Sequence, residues 1–168
     1  MMLKADRIAA ILREGQKPNA QDPLVITPQP DLKVLEDSGA ASVDLRLGTW
    51  FLTLRPARMT HLSIQGRTAE PQLTRTQYVP FGKQYYLHPG HFVLGVTLEW
   101  IRFPKNYGGY VIGKSSWGRR GLIIATAAGV HPGFTGCLTL ELSNVGEIPI
   151  EIKPGMTICQ LFIHNVEG

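Results

Sequence analysis

The densest group of polar side chains in the sequence lies between Gly113 and Gly121. These nine residues, GKSSWGRRG, contain two hydroxyls, three cations and three glycines. Glycines let a backbone approach a ligand closely, and hydroxyls together with Lys or Arg suit phosphate oxygens. The letters of GxxxxGK[ST] occur at 108–115 (GGYVIGKS), but we do not interpret the segment as a Walker loop, because the residues that would form the loop fall in a predicted strand, Gly109–Ile112. The alternative is a solvated basic turn that caps a short helix through Ser115 or Ser116.

The second candidate is a carboxylate on a predicted strand, CLTLELS at 137–143. Leucines alternate with polar residues there, so Glu141 shares one face with Thr139 while the leucines occupy the other. A carboxylate in this position is either a solvent-facing residue or a general base that lines a cleft. The dipeptide Pro132-Gly133 predicts the turn that leads into this strand. Phe134 follows the turn and is suited to packing against a flat ring.

The spacing of potential ligands does not indicate a zinc site. Zinc-dependent deaminases carry HxE together with PCxxC, and neither motif occurs here. The five histidines also lack the spacing of a metal site. Any hydrolysis must therefore activate water without zinc. The two cysteines, Cys137 and Cys159, lie in apolar runs, which predicts two buried thiols in a reducing compartment.

Composition places these candidates on a β-rich chain. The 168 residues fit a single domain, 1–168, with 18 glycines and 12 prolines scattered along it. The net charge of +4 includes no run of five like charges, which disfavours nucleic-acid binding but allows a basic pocket for a small anion. Because neither a membrane span nor a signal peptide is visible, we expect a soluble, cytoplasmic protein that does not bind a membrane.

The predicted helical part of the chain is confined to its start. Ile8, Ile11 and Leu12 have helical spacing, and Gly15 follows as a stop signal. Residues 16–40 are polar and rich in proline, which predicts a meandering loop.

The rest of the chain is predicted to form strands. Val43 to Leu47 alternates until Gly48 breaks the run, and Trp50 to Leu54 follows as a partner strand. Residues 55–80 are predicted to form a loop with at most one short strand. Seven further strands are predicted at Gln84–Leu87, Phe92–Glu99, Gly109–Ile112, Leu122–Thr126, Cys137–Ser143, Ile148–Ile152 and Thr157–Ile163. Short strands after a single N-terminal helix indicate a distorted β-barrel or jelly roll.

Five blocks of the sequence, in order, resemble the dCTP deaminases of the dCTP deaminase/dUTPase superfamily. They are SVDLRLG (42–48), YYLHPGHFVLGVTLE (85–99), GKSSWGRRGL (113–122), TAAGVHPGFTGCLTLELSNVG (126–146) and KPGMTICQL (153–161). The resemblance implies a dUTPase-like β-barrel that forms a homotrimer with active sites at subunit interfaces. It also implies a role in pyrimidine deoxynucleotide metabolism: hydrolysis of dCTP to dUTP and ammonia, with Mg²⁺ bound through the substrate phosphates.

The same resemblance implies roles for ten residues. Glu141 matches the catalytic glutamate that deprotonates water, and Ser115 and Arg119 match groups that orient this water and support the glutamate. The residues matched to substrate binding are Lys114 and Ser116 at the phosphates, Thr126, Ala127 and Val130 in the loop that reads the pyrimidine, His131 at the sugar and Phe134 beside the nucleoside.

Three departures from the family pattern favour a nucleotide-binding regulator as the alternative to the enzyme, and one of them, His131, disfavours a dUTP diphosphatase. His131 stands where an aspartate is usual; that aspartate holds the sugar in deaminases and activates water in dUTPases. Gly129 stands where an arginine is common. Family members continue past the position of Gly168 with Tyr, Lys and Gln side chains that clamp the triphosphate, and we expect this sequence to lack those contacts. The alternatives are a weakly active or inactive nucleotide-binding regulator and, third, a dUTP diphosphatase.

Overall fold

Strands make up most of the secondary structure in the computed structural model, which describes residues 1–54, 74–125 and 128–166. The elements are α1 (Ala5–Gly15), β1 (Val25–Thr27), α2 (Leu32–Asp37), β2 (Val43–Leu54), β3 (Thr74–Tyr78), β4 (Tyr85–Leu87), β5 (Phe92–Arg102), β6 (Tyr107–Gly113), α3 (Ser115–Gly118), β7 (Leu122–Ala125), β8 (Gly129–Val130), β9 (Thr135–Asn144), β10 (Ile150–Ile152) and β11 (Thr157–Asn165). The predicted β-rich class is confirmed.

Nine of the described strands form one antiparallel sheet that curls on itself. The order along the sheet is β7-β9-β5-β2-β11-β6-β8, with β1 paired to β5 and β3 paired to β2. β4 and β10 form a separate two-stranded sheet. The curl brings β7, at one end, close to β6, near the other: a Cβ atom on Gly113 would lie only 2.8 Å from the Cβ of Ile124. This near closure confirms the predicted distorted barrel.

The core is built from alternate strand residues and one face of α1. In β9 the leucines at 138, 140 and 142 are buried, whereas the residues between them are exposed or half-buried. In α1 the buried side chains include Ile8, Ile11 and Leu12, which confirms the predicted N-terminal helix. Within the described residues, no helix has both the length and the apolar character needed to span a bilayer.

The predicted turn at Gly48 is wrong. β2 continues through this position from Val43 to Leu54 as one strand, so the two halves are not partners of each other. A Cβ atom on Gly48 would lie 3.0 Å from the carbonyl oxygen of Val96 and 3.1 Å from that of Thr97. Glycine is therefore needed because β5 approaches closely. The register of β2 against β5 shifts between Leu47 and Phe51, the stretch that contains Gly48.

The region at 16–40 contains two elements that the predicted loop did not include. β1 pairs with the C-terminal end of β5. Asp31 caps α2 by accepting hydrogen bonds from the amides of Lys33 (3.0 Å) and Val34 (3.1 Å). Because α2 and α3 are also helices, the prediction of a single helix is wrong. Both are too short for a periodic pattern to reveal.

The strands after residue 84 agree with the prediction, and their ends differ by at most three residues. β8 is an additional short strand. β3 supplies the one short strand predicted within 55–80, while the part of that prediction at 55–73 lies outside the described residues.

A threonine side chain replaces backbone hydrogen bonds at the point where the pairing of β5 with β9 is interrupted. The register of these strands shifts between Val96 and Trp100. Buried Thr97 accepts a hydrogen bond from the amide of Leu138 (2.9 Å) and donates one to the carbonyl of Glu99 (2.8 Å). One hydroxyl thereby satisfies backbone groups that regular pairing would otherwise have satisfied.

The end of β9 is held by the amide side chain of Asn144, which is fully buried. Its Nδ2 donates to the carbonyls of Leu87 (2.8 Å) and Ile148 (2.9 Å), and its Oδ1 accepts from the amide of Gly146 (2.9 Å). These three bonds fasten β4 and the segment before β10 to β9.

We expect the substitution Asn144→Leu to lower the free energy of unfolding by about 2–4 kcal/mol. Leucine roughly preserves the volume but leaves buried carbonyl and amide groups without partners, each at a cost of about 1–3 kcal/mol. Urea denaturation at one fixed protein concentration measures the change. Glu147→Gln, at an exposed position in the same segment, is the control and should change stability by less than about 0.5 kcal/mol. Equal midpoints for wild type and Asn144→Leu would contradict the anchoring role.

Candidate functional site

A groove beside β9 brings together several residues that could carry chemistry. Its volume is about 240 Å³, and its walls come from β9, β8, β6 and the turn before β9. The lining residues are Val111, Gly129, Val130, Phe134, Cys137, Leu138, Thr139 and Glu141. The groove therefore unites Glu141 with two predicted substrate-binding residues, Val130 and Phe134.

A larger cleft, of about 350 Å³, lies at the C-terminal end of α1. It contains none of the predicted catalytic or substrate-binding residues. Of its two carboxylates, Glu14 and Asp22, the second is engaged structurally, because Asp22 accepts hydrogen bonds from Arg102 Nη2 (2.9 Å) and from the amide of Lys105 (2.9 Å). The groove beside β9 is the better candidate.

The turn before β9 places Phe134 at the mouth of the groove. The amide of Phe134 donates to the carbonyl of His131 at 3.1 Å and closes the turn HPGF at 131–134. Gly133 has a φ of 77°, a left-handed conformation that favours glycine. Strand alternation then carries Glu141 to the same side of β9 as the groove. The predicted turn and the predicted orientation of Glu141 are confirmed.

Glu141 is half-buried at the groove and lies in the middle of the sheet. Its backbone pairs with Leu94 of β5 on one side and with Ala125 of β7 on the other. Among the described residues, no side chain forms a hydrogen bond or ion pair with its carboxylate. A partly desolvated carboxylate that is free of such partners can accept a proton from a bound water.

The predicted role of Ser115 or Ser116 as the cap of α3 is wrong. The residue at the cap position is Lys114, and its side chain makes no capping bond. Arg119 Nη2 contacts Ser115 Oγ at 3.5 Å, the long limit of a hydrogen bond. Ser115, Ser116 and Arg119 are all exposed. This surface therefore presents hydroxyls and a guanidinium to solvent.

Trp117 fixes α3 to the rest of the fold. Its indole nitrogen donates to the carbonyl of Thr157 at 2.9 Å, and the guanidinium of Arg120 lies over its ring, 5.2 Å from the centroid. Lys114 is held separately, by an ion pair in which Nζ lies 2.6 Å from Oδ2 of Asp44. The basic segment is thus a positioned surface and not a loosely attached turn.

The predicted site residues fall into two groups within one chain. Glu141, Val130 and Phe134 line the groove, and the α3 group, comprising Lys114, Ser115, Ser116 and Arg119, does not. His131 is exposed in the turn and is not a lining residue. Thr126 and Ala127 lie outside the described residues.

The lining also includes residues that the sequence analysis did not assign to binding. Thr139 and Cys137 share the face of β9 that carries Glu141, so strand alternation was a sufficient signal for both. Val111 comes from β6, and only the closure of the sheet brings it to β9. No local pattern in the sequence predicts that contact.

The prediction of two buried thiols is correct for Cys159 and wrong for Cys137, which is exposed at the groove. Partial burial, and secondarily the negative charge of Glu99, raise the pKa of the Cys137 thiol. Burial is also the main cause that raises the pKa of Cys159 to about 12. Both thiols are therefore protonated at neutral pH. Within the described ranges, no group of three or more His, Cys, Asp or Glu side chains could hold a metal ion.

Comparison with known proteins agrees with this architecture. Residues 6–166 match the family model of dCTP deaminase-like proteins. The dUMP-forming dCTP deaminase of Dictyoglomus thermophilum is 39% identical over 177 residues, covering 99% of this chain and 82% of the relative. That of Corynebacterium jeikeium is 41% identical over 167 residues, with coverages of 98% and 82%. The dCTP deaminase of Rhodospirillum rubrum is 38% identical over 150 residues, with coverages of 84% and 74%.

A solved structure shares the fold. The crystal structure of 2'-deoxycytidine 5'-triphosphate deaminase from Agrobacterium tumefaciens superposes with a TM-score of 0.69 at 20% identity, covering 99% of this chain and 48% of that one. The family match spans nearly the whole chain, and relatives at about 40% identity align along most of their own length. The protein therefore belongs to the dCTP deaminase-like family.

Proposed function

We propose that this protein hydrolytically deaminates dCTP and releases dUTP and ammonia. The observation that carries the proposal is the position of Glu141, which is half-buried in a groove whose other walls include Val130 and Phe134. The names of the relatives, all dCTP deaminases, support the same reaction.

In the proposed reaction, a water molecule adds to C4 of the cytosine ring and the amino group leaves as ammonia. Glu141 accepts one proton from the attacking water and passes it to N3 of the ring. The second proton moves from the new C4 hydroxyl to the departing amino group as the C4 carbonyl forms, so the carboxylate is regenerated in each cycle. A positioned general base of this kind typically accelerates a reaction by about 10²–10⁴-fold. Val130 and Phe134 offer apolar surface to the flat ring, which limits access of bulk water.

We propose that the active site is completed by a second copy of the chain in a homotrimer. Ser115 and Arg119 match groups that orient the attacking water, yet they do not line the groove of their own chain. Exposed apolar side chains on β6 and β7, Tyr110, Ile112 and Ile123, offer surface for such contacts. Assembly would bring α3 of one subunit to the groove of another.

The phosphate chain is assigned to the α3 group. Lys114 and Ser116 supply a cation and a hydroxyl for phosphate oxygens, and Mg²⁺ is proposed to accompany the substrate through those oxygens. In this proposal Mg²⁺ neutralises phosphate charge and the attacking water is activated by Glu141.

The proposed product is dUTP, although several relatives are named dUMP-forming. Formation of dUMP requires a second water to attack a phosphate and therefore a second general base. Where dUTPases have an aspartate that activates the attacking water, this chain has His131, exposed in a turn. We therefore propose that the reaction ends after deamination.

A nucleotide-binding protein without turnover is the second candidate. Gly129 supports it, because glycine gives this part of the groove wall no side chain, and among the described residues no atom lies within 4 Å of where its Cβ would be. A groove that is open on one side holds a ring less firmly, which lowers the rate of a reaction that depends on orientation.

The substitution Glu141→Gln separates the two candidates. We expect it to abolish measurable ammonia release, a loss of about 10²–10⁴-fold, because glutamine keeps the size but cannot accept the proton. Affinity for dCTP should stay within about tenfold of wild type, since ring and phosphate contacts come from other residues. A coupled ammonia assay and calorimetry measure the two quantities.

The matched control is Glu147→Gln, which removes the same charge at an exposed position outside the groove and should retain activity. If Glu141→Gln retains more than a tenth of the wild-type rate, Glu141 is not the base. Such a variant would raise the activation barrier by less than about 1.4 kcal/mol. Binding of dCTP without ammonia release by the wild type would favour the non-catalytic candidate.

The proposed assembly predicts a mass of three chains of 18.6 kDa in light scattering. It also predicts complementation between two inactive variants, Glu141→Gln and Arg119→Ala. Mixed trimers formed by subunit exchange should regain part of the activity, because some sites combine an intact Glu141 with an intact Arg119 from a neighbour. A monomer mass, or no recovery after demonstrated exchange, would refute the shared site.

The identity of the product is tested by resolving the nucleotides formed from dCTP in the presence of Mg²⁺. We expect ammonia and dUTP in equal amounts and no diphosphate. Release of diphosphate at the same rate as ammonia would instead show that the protein forms dUMP and that a group other than an aspartate at position 131 activates the second water.

A further inference from the structure

An ion pair beside α3 involves the lysine that is assigned to the substrate phosphates. Lys114 Nζ donates to Oδ2 of Asp44 at 2.6 Å, a charge-assisted hydrogen bond. Asp44 belongs to β2 and Lys114 follows β6, and β11 lies between these two strands. The pair therefore spans β11 on the surface of the sheet. Its position makes Asp44 the resting partner of a predicted phosphate ligand.

The pair is accessible to a competing anion. The Asp44 side chain is 49% exposed and that of Lys114 is 27% exposed. Both lie at a cleft of about 270 Å³ whose polar lining also includes Ser42 and Gln160, which hydrogen bond to each other at 3.2 Å. An ion pair with this exposure is weakly held, because water screens it and hydrates each partner on release.

We propose that Asp44 is an exchangeable counter-ion that withholds Lys114 from the phosphate chain of the nucleotide. The inference deepens the proposed function, because it rests on Lys114 as a phosphate contact. A lysine ammonium is a compact charge on a flexible stem, so it can move from one anion to another. Phosphate oxygens carry more charge than one carboxylate and displace it. Asp44 thereby limits affinity for the polyphosphate.

Electrostatics determines in which direction phosphate affinity changes when Asp44 loses its charge. Removing the charge of Asp44 frees Lys114 and also removes a negative charge from the neighbourhood of the bound anion. Both changes strengthen phosphate binding. Only the first requires the lysine, so a double-mutant cycle with Lys114 isolates the exchange from the general repulsion.

The test measures binding of inorganic tripolyphosphate by calorimetry at low ionic strength. This probe carries the phosphate charge without a base, so the result does not depend on deamination. We expect Asp44→Asn to tighten binding by about three- to fivefold, the range allowed by an exposed ion pair. The same substitution in a Lys114→Met background should change affinity by less than about twofold.

The matched control is Asp37→Asn, which removes an equal charge from the exposed C-terminal end of α2 and should leave affinity within about twofold of wild type. Thermal unfolding establishes that all variants are folded. Unchanged or weaker binding by Asp44→Asn, an equal gain in the Lys114→Met background, or no binding of tripolyphosphate by the wild type would each overturn the inference. Ammonia release from dCTP by the wild type is measured separately, and its absence would refute the proposed function. A gain in tripolyphosphate affinity that requires Lys114 would still support the exchange of partners in that case.

Discussion

The hydrogen bond between Thr97 and the amide of Leu138 fixes β9 at the place where its regular pairing with β5 is interrupted. Without an acceptor, the buried amide of Leu138 would lower the free energy of unfolding by about 1–3 kcal/mol. One of the contacts that define the register of β9 would also be lost. A slip of one residue would turn Glu141 into the core and a leucine into the groove, because side chains alternate with a period of two. The Thr97 hydroxyl therefore reinforces, at the interruption, the register that pairing with β5 and β7 sets for the candidate base.

The same irregularity in β5 carries Glu99, whose carboxylate is buried and accepts hydrogen bonds from the amide (2.8 Å) and Nε (2.7 Å) of Arg46. Loss of either partner would leave a buried charge or acceptor unsatisfied. Two residues earlier on β2, Asp44 forms the exposed pair with Lys114. One strand thus bears an ion pair whose carboxylate is buried, with the Glu99 side chain 4% exposed, and a second pair whose carboxylate, Asp44, is 49% exposed. Only the second is suited to exchanging partners.

The sequence predicts those parts of the fold in which a local pattern has one physical interpretation. Alternating leucines orient Glu141 correctly, and the Pro-Gly turn before β9 is where it is expected. Gly48 is different, because a glycine serves equally well at a turn and at a close approach between strands. The cap at Asp31 involves too few residues to give a period. Nor does any pattern show that Ser115 and Arg119 lie apart from the groove, since closure of the sheet decides that.

The position of β11 between β2 and β6 has a consequence for biosynthesis. β11 is the last described strand along the chain, yet it joins the part of the sheet that bears Glu141 to the part that bears α3. While the ribosome is still translating the preceding segments, β2 and β6 both have open edges that can pair with other chains. Partners this far apart in sequence also slow the search for the native topology. The nascent protein is thus prone to aggregation until β11 emerges.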